Sequence, residues 1–234
     1  MTDLSKADAD VIETFQNNFN IDVGPDERTQ NILNIQPVVP VKITKSLNLI
    51  TRTILPVISQ PAPGDDRTLG LGDTNFTGFI SPRDPGKVIW GVGPSIIIPT
   101  ATDDVLGSDK WSLGPSAVVL TMPGSWVIGG LVSNVWSITG SDDSASVNQF
   151  LFQYFINYNY PSGWYLTTAP ILTANWEASS GNKWTVPFGG GIGKVFKMGK
   201  QPVNINSQLF YNIQTPENGA DWQWRFQVQL LFPK

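Results

Sequence analysis

The last thirteen residues of the chain, Trp222 to Lys234, read W-Q-W-R-F-Q-V-Q-L-L-F-P-K. Trp222, Trp224, Phe226, Val228, Leu230 and Phe232 occupy every second position, and Gln223, Arg225, Gln227 and Gln229 lie between them. Side chains on a strand alternate faces with period two, so this strand has one greasy, aromatic face and one amide-rich face. A soluble sheet also alternates, but its wet face is usually the charged, solvent-exposed one. Aromatic rings near the ends of the apolar face, with neutral amides opposite, suit a strand between lipid and a water-filled lumen.

The pattern recurs. Phe150, Phe152, Tyr154, Ile156, Tyr158 and Tyr160 share a face, opposite Gln149, Gln153, Asn157 and Asn159 with Leu151 and Phe155. Val203, Ile205, Leu209, Tyr211 and Ile213 oppose Asn204, Asn206, Gln208 and Asn212. Trp184, Val186, Phe188 and Ile192 oppose small residues, as do Trp90, Val92, Pro94, Ile96 and Ile98. The competing reading is a soluble β-sandwich or a lipocalin-like barrel.

Charged residues make up only 15% of the 234, and mean hydropathy is -0.07. That middling value follows when half of each strand faces lipid. No apolar run is long enough for a transmembrane helix. The absence of cysteine removes disulfides and thiolate metal sites, and the absence of histidine removes imidazole chemistry. G-G-G-I-G at 189–193 lacks the spacing of a dinucleotide site and sits inside an alternating strand. No cofactor is expected, and no catalytic or metal-binding set. Met1-Thr2-Asp3-Leu4-Ser5-Lys6 has no apolar core, so a barrel exported to the outer membrane implies a leader already removed.

A strand crossing an outer membrane needs roughly 9–11 residues. Twelve candidates fit: 11–23, 30–42, 47–59, 70–82, 88–100, 111–121, 126–138, 148–160, 164–177, 183–195, 203–214 and 222–232. Strand 126–138 has apolar residues on both faces, so its facing stays open. Pro37, Pro56, Pro94, Pro115, Pro170 and Pro187 fall inside candidates and argue for bulges, strand ends or interfacial positions. Tight turns (44–46, 84–87, 122–125, 161–163, 199–202) alternate with longer acidic loops (24–29, 62–69, 101–110, 140–146, 179–182, 216–221). Sign follows the alternation: Asp65, Asp66, Asp103, Asp104, Asp142 and Asp143 belong to the long connections, whereas Lys42, Lys45, Arg83, Lys87, Lys197 and Lys200 border the short ones. Short turns on one rim and long loops on the other characterise outer-membrane barrels. The expected fold is therefore all-β. It is a single transmembrane antiparallel up-and-down barrel over 1–234, of about twelve strands. Both termini are periplasmic, and 1–10 forms a short periplasmic segment.

Several blocks resemble a bacterial family of outer-membrane transporters named for the meta-pathway of phenol degradation, some members of which carry the label "neuromedin U". They are N-I-L-N-I-Q-P-V-V-P (31–40), L-N-L-I-T-R-T-I-L-P-V-I (47–58), G-L-G-D (70–73), W-G-V-G-P (90–94), I-P-T-A-T-D-D-V-L-G (98–107), W-T-V-P-F-G-G-G-I-G (184–193) and the K-Q-P-V-N turn (200–204). The resemblance runs from about Phe15 to Lys234. It implies an outer-membrane barrel and, by association, uptake of aromatic or other small compounds. It brings no catalytic residues.

The leading functional expectation is a channel or transporter for small, aromatic or weakly polar solutes. Its partners would be outer-membrane lipid and a small-molecule solute, not nucleic acid. The expected lumen lining is Gln36, Arg52, Gln153, Asn157, Asn175, Asn204, Asn206, Gln208, Asn212, Gln223, Arg225 and Gln227, with Asn75 and Gln229. Twelve tilted strands leave a lumen ~5–6 Å in radius, which large side chains or an inward loop could close. Arg52 and Arg225 either favour anions or pair with Asp73 or Glu177. The alternatives are a structural barrel without transport and a histidine-independent outer-membrane enzyme. Asp103, Asp104 and Asp109, or Asp65 and Asp66, could hold a divalent cation, although they form no defined motif.

Overall fold

The structure is a computed structural model and describes residues 11–64 and 66–232; the expected periplasmic segment 1–10 and Asp65 lie outside them. The strands are β1 (Val11–Val23), β2 (Arg28–Lys42), β3 (Leu47–Pro61), β4 (Arg67–Leu71), β5 (Thr74–Pro82), β6 (Val88–Ile98) and β7 (Lys110–Thr121). They continue with β8 (Trp126–Gly140), β9 (Asn148–Asn159), β10 (Trp164–Thr168), β11 (Ile171–Asn175), β12 (Trp184–Met198), β13 (Gln201–Gln214) and β14 (Trp222–Phe232). All pairings are antiparallel between chain neighbours, and β1 pairs β14 from Val11↔Phe232 to Ile21↔Trp222. β4 and β5 both lie along β3, and β10 and β11 both lie between β9 and β12. Each of these two pairs is one wall strand with a break, so fourteen segments wall a closed twelve-stranded barrel. Closure leaves no unpaired sheet edge. Among the described residues no helix is long and apolar enough to cross a membrane.

Burial is inside-out. On β13, Gln208 is 4% exposed and its neighbour Leu209 49%; on β14, Arg225 is 2% exposed and Trp224 43%. A soluble barrel would reverse these values. The outer surface is instead a band of exposed apolar side chains, among them Val92, Val119, Ile128, Leu166, Phe188 and Ile192. Its ends carry aromatic clusters. Trp176 packs edge-on against Trp184 at 5.4 Å, and Phe150 joins both. On the opposite rim Trp126, Tyr158 and Tyr160 form a second group, and Lys194 lies over the Trp164 ring. Such belts suit headgroup levels.

Register settles the open facing of β8. Val127, Gly129 and Leu131 pair Asn157, Phe155 and Gln153, so these face inward while Trp126, Ile128 and Val132 face out. The prolines are handled individually. Pro94 and Pro115 are cross-strand partners, and Pro187 sits at a β-bulge. Pro170 coincides with the β10–β11 break, which splits the candidate strand 164–177. Tight turns at 122–125 and 160–163 close through Gly124 (φ 60) and Gly163 (φ 83), a conformation glycine adopts without strain.

Candidate functional site

Cross-strand partners share a face, so the pairings define the barrel's inner surface residue by residue. Gln36, Arg52, Gln153, Asn157, Asn204, Asn206, Gln208, Arg225 and Gln227 line one central cavity of ≈ 280 Å³. Gln229 lines it too, as do Thr14 and Gln16, which the sequence reading did not single out. The signal was present: with Phe15 and Phe19 facing out, Thr14, Gln16 and Asn18 must face in. Of the other expected residues, Gln223 and Asn212 lie on inward faces nearer the loop rim, where Asn212 Nδ2 donates to the Ala220 carbonyl at 2.6 Å. Asn75 donates to Ser95 Oγ at 3.2 Å, and Asn175 lines the wider mouth of the barrel.

The amides close on one another. Arg225 Nη2 donates to Gln223 Oε1 (2.9 Å), Gln223 to Asn20 (2.9 Å), Asn20 to Gln30 (2.6 Å) and Gln30 to Gln60 (2.5 Å). This chain crosses β14, β1, β2 and β3. A second runs from Tyr165 Oη to Asn204 (2.7 Å), Asn204 to Gln229 (2.7 Å) and Gln229 to Thr14 Oγ1 (3.3 Å). Tyr165 reaches β13 by crossing over β12 at Gly193, where a Cβ would lie 2.1 Å from the tyrosine ring. Phe155 lies in the same way over its partner Gly129. The glycines of β8 and β12 thus make room for inward rings.

Arg225 is the most tightly held of these side chains. Besides Gln223 it donates to Asn18 Oδ1 (3.0 Å) and the Ala169 carbonyl (2.7 Å), and it lies 5.0 Å from the Phe210 ring centre. The Ala169 peptide is turned inward at the β10–β11 break. Proline at 170 has no N–H for the ladder, and at this break lumen side chains partner the Ala169 backbone: Gln208 Oε1 accepts from Ala169 N at 3.0 Å. Among the described residues Arg52 makes a single hydrogen bond, to Gln36 Oε1 at 2.8 Å.

The expected pairing of either arginine with Asp73 or Glu177 is not found. Asp73 instead accepts from Ser108 N (2.7 Å), Ser108 Oγ (2.8 Å) and Ala101 N (3.3 Å). Its position at the β4–β5 break explains this, because the carboxylate replaces ladder partners for the β6–β7 loop. That loop carries a short 3-10 turn, Asp104–Leu106, capped by Asp103. Leu106 is buried, and Gly70 lies beneath the loop so closely that a Cβ there would collide with Thr102 and Leu106. Gly70 pairs Ile58, whose parity matches inward Arg52, so the loop packs on the inner wall. Above the constriction it borders a mouth of ≈ 750 Å³ with Ser141, Asp143 and Gln149. The central cavity, bordered by inward rings and arginines, is smaller than this mouth. Among the described residues no three acidic groups come together as a metal site.

No family model and no curated protein matches the sequence. Solved structures do match. The crystal structure of an outer membrane channel from Pseudomonas putida F1 superposes with a TM-score of 0.72 at 16% identity, covering 95% of each chain. A FadL homologue of Pseudomonas aeruginosa gives 0.53 at 7% identity, over 96% of this chain and 90% of that one. The outer membrane phospholipase A of Escherichia coli gives 0.46 at 11% identity, over 96% of each. The fold of this chain is therefore that of an outer-membrane β-barrel.

Proposed function

We propose that the chain resides in the bacterial outer membrane as a channel for small, weakly polar or aromatic solutes, with both termini periplasmic and the acidic loops outside. The carrying observation is the inside-out wall around a polar central cavity. Neutral amides, many of them hydrogen-bonded to one another, make up most of that polar lining beside Arg52 and Arg225. The likeness in fold to an outer membrane channel and, at a lower TM-score, to a FadL homologue favours passage over catalysis. The sequence blocks quoted above support membership of the phenol-degradation family. A second reading, a barrel without transport, is favoured by the loop packed into the barrel's mouth. Planar-bilayer current and swelling of proteoliposomes in small neutral solutes separate the two. Discrete conductance with size-limited swelling is the expected result; neither signal from a heat-modifiable, correctly folded barrel would favour the scaffold.

A further inference from the structure

Two arginines line the central cavity, and among the described residues no carboxylate pairs with either. We propose that this constriction binds a small monocarboxylate. Its charged end would lie between Arg52 and Arg225, and its apolar body against Ile12, Val38 and Phe155, which share the cavity. The proposal rests on reading the lumen as a solute path.

Three observations converge. Two guanidinium groups on one cavity of ≈ 280 Å³ repel each other, and an anion between them relieves that repulsion. The donors are also asymmetric. Arg225 is spent on three acceptors, whereas among the described residues Arg52 gives one N–H to Gln36 and its others are not among the buried, unpartnered atoms, so they border the open cavity. A planar guanidinium matches a carboxylate with two parallel bonds. Finally, Ile12, Val38 and Phe155 give the cavity an apolar side, which favours an organic anion over chloride or phosphate. The exposed aspartates of the mouth do not cancel the site. At physiological salt, charges on the surface are screened over about 8 Å, whereas a buried pair is screened much less.

The test is equilibrium binding to the full-length barrel folded in detergent, read by saturation-transfer NMR or calorimetry. The probes are propionate, its neutral isostere propionamide, and inorganic phosphate. Propionate should bind, propionamide should not, and phosphate should bind more weakly. Arg52→Gln should weaken propionate about ten-fold or more, and Arg52→Lys should restore part of the loss. Far-UV spectra and heat-modifiable migration establish that each variant is folded, and Arg225→Lys is the substitute should Arg52→Gln misfold. Equal binding of propionate and propionamide, indifference to Arg52→Gln, or tighter binding of phosphate would each overturn the proposal. A barrel that binds propionate but passes no current would sink the channel reading and uphold the site. A conducting barrel indifferent to propionate would do the reverse.

Discussion

At the residue scale, neighbours one position apart live in different solvents. Tyr154 and Gln153 share a stretch of β9, yet Tyr154 lies on the outer face beside Phe152 and Gln153 lines the cavity. Arginine at mid-bilayer on the lipid face of a barrel costs roughly 2–4 kcal/mol, whereas a lumen position can hydrate it. Tyr154→Arg should therefore cut folding yield into bilayers sharply, and Gln153→Arg should be tolerated. Gel-shift yields in lipid vesicles check this, and equal yields would contradict the facing. This level was legible in the sequence, because period-two alternation alone separates the two residues. The partners of Arg52 and Arg225 were not legible. Alternation gives a side chain's face but not what lies across a lumen, and the carboxylates suggested as counterions belong to the loop rim.

At the element scale, the two broken wall strands illustrate where periodicity runs out. Residues 70–82 and 164–177 read as continuous strands, since a break of two residues leaves the apolar spacing on either side intact. What interrupts them is hydrogen-bond supply: Thr100 Oγ1 receives Thr74 N at 2.9 Å and donates to the Gly72 carbonyl at 3.0 Å, and Gln208 and Arg225 serve Ala169. The inward packing of the β6–β7 loop was equally hidden, because its anchor is a carboxylate on a different hairpin. Asp73→Ala removes the acceptor of three bonds from that loop. Hydrogen bonds to a charged group contribute about 1.5–3 kcal/mol each when buried, and less at this partly open rim. The variant should remain a barrel, lose roughly 1–3 kcal/mol in urea unfolding, and be cut by endoproteinase Asp-N at Asp103 or Asp104 faster than the wild type. Unchanged cleavage would mean that the packing of Leu106, not Asp73, holds the loop.

At the scale of the molecule, the wall divides into two kinds of lining. β1, β2, β13 and β14 turn amides inward, whereas β6, β7 and β8 turn glycine, serine and aliphatic residues inward, such as Gly93, Ser95, Ser116 and Leu131. The seam between first and last strands falls inside the amide half, and its inner bonds join residues more than two hundred positions apart, as in Gln223 to Asn20 and Arg225 to Asn18. Its register runs unbroken over eleven pairs. Nothing in the wall therefore marks where the polypeptide begins. A circular permutant is the consequence. Val11 and Phe232 are paired neighbours, so a short glycine-rich bridge can join them, while new ends are opened in the tight turn at Pro123–Gly124. Such a chain should refold in detergent to the same heat-modifiable barrel and far-UV spectrum. Its folding rate should stay similar, because the strands at 11–23 and 222–232 then meet as a local hairpin while β7 and β8 take over the long-range closure. Failure to form a barrel would show that the order in which strands are delivered, not the wall they build, decides closure.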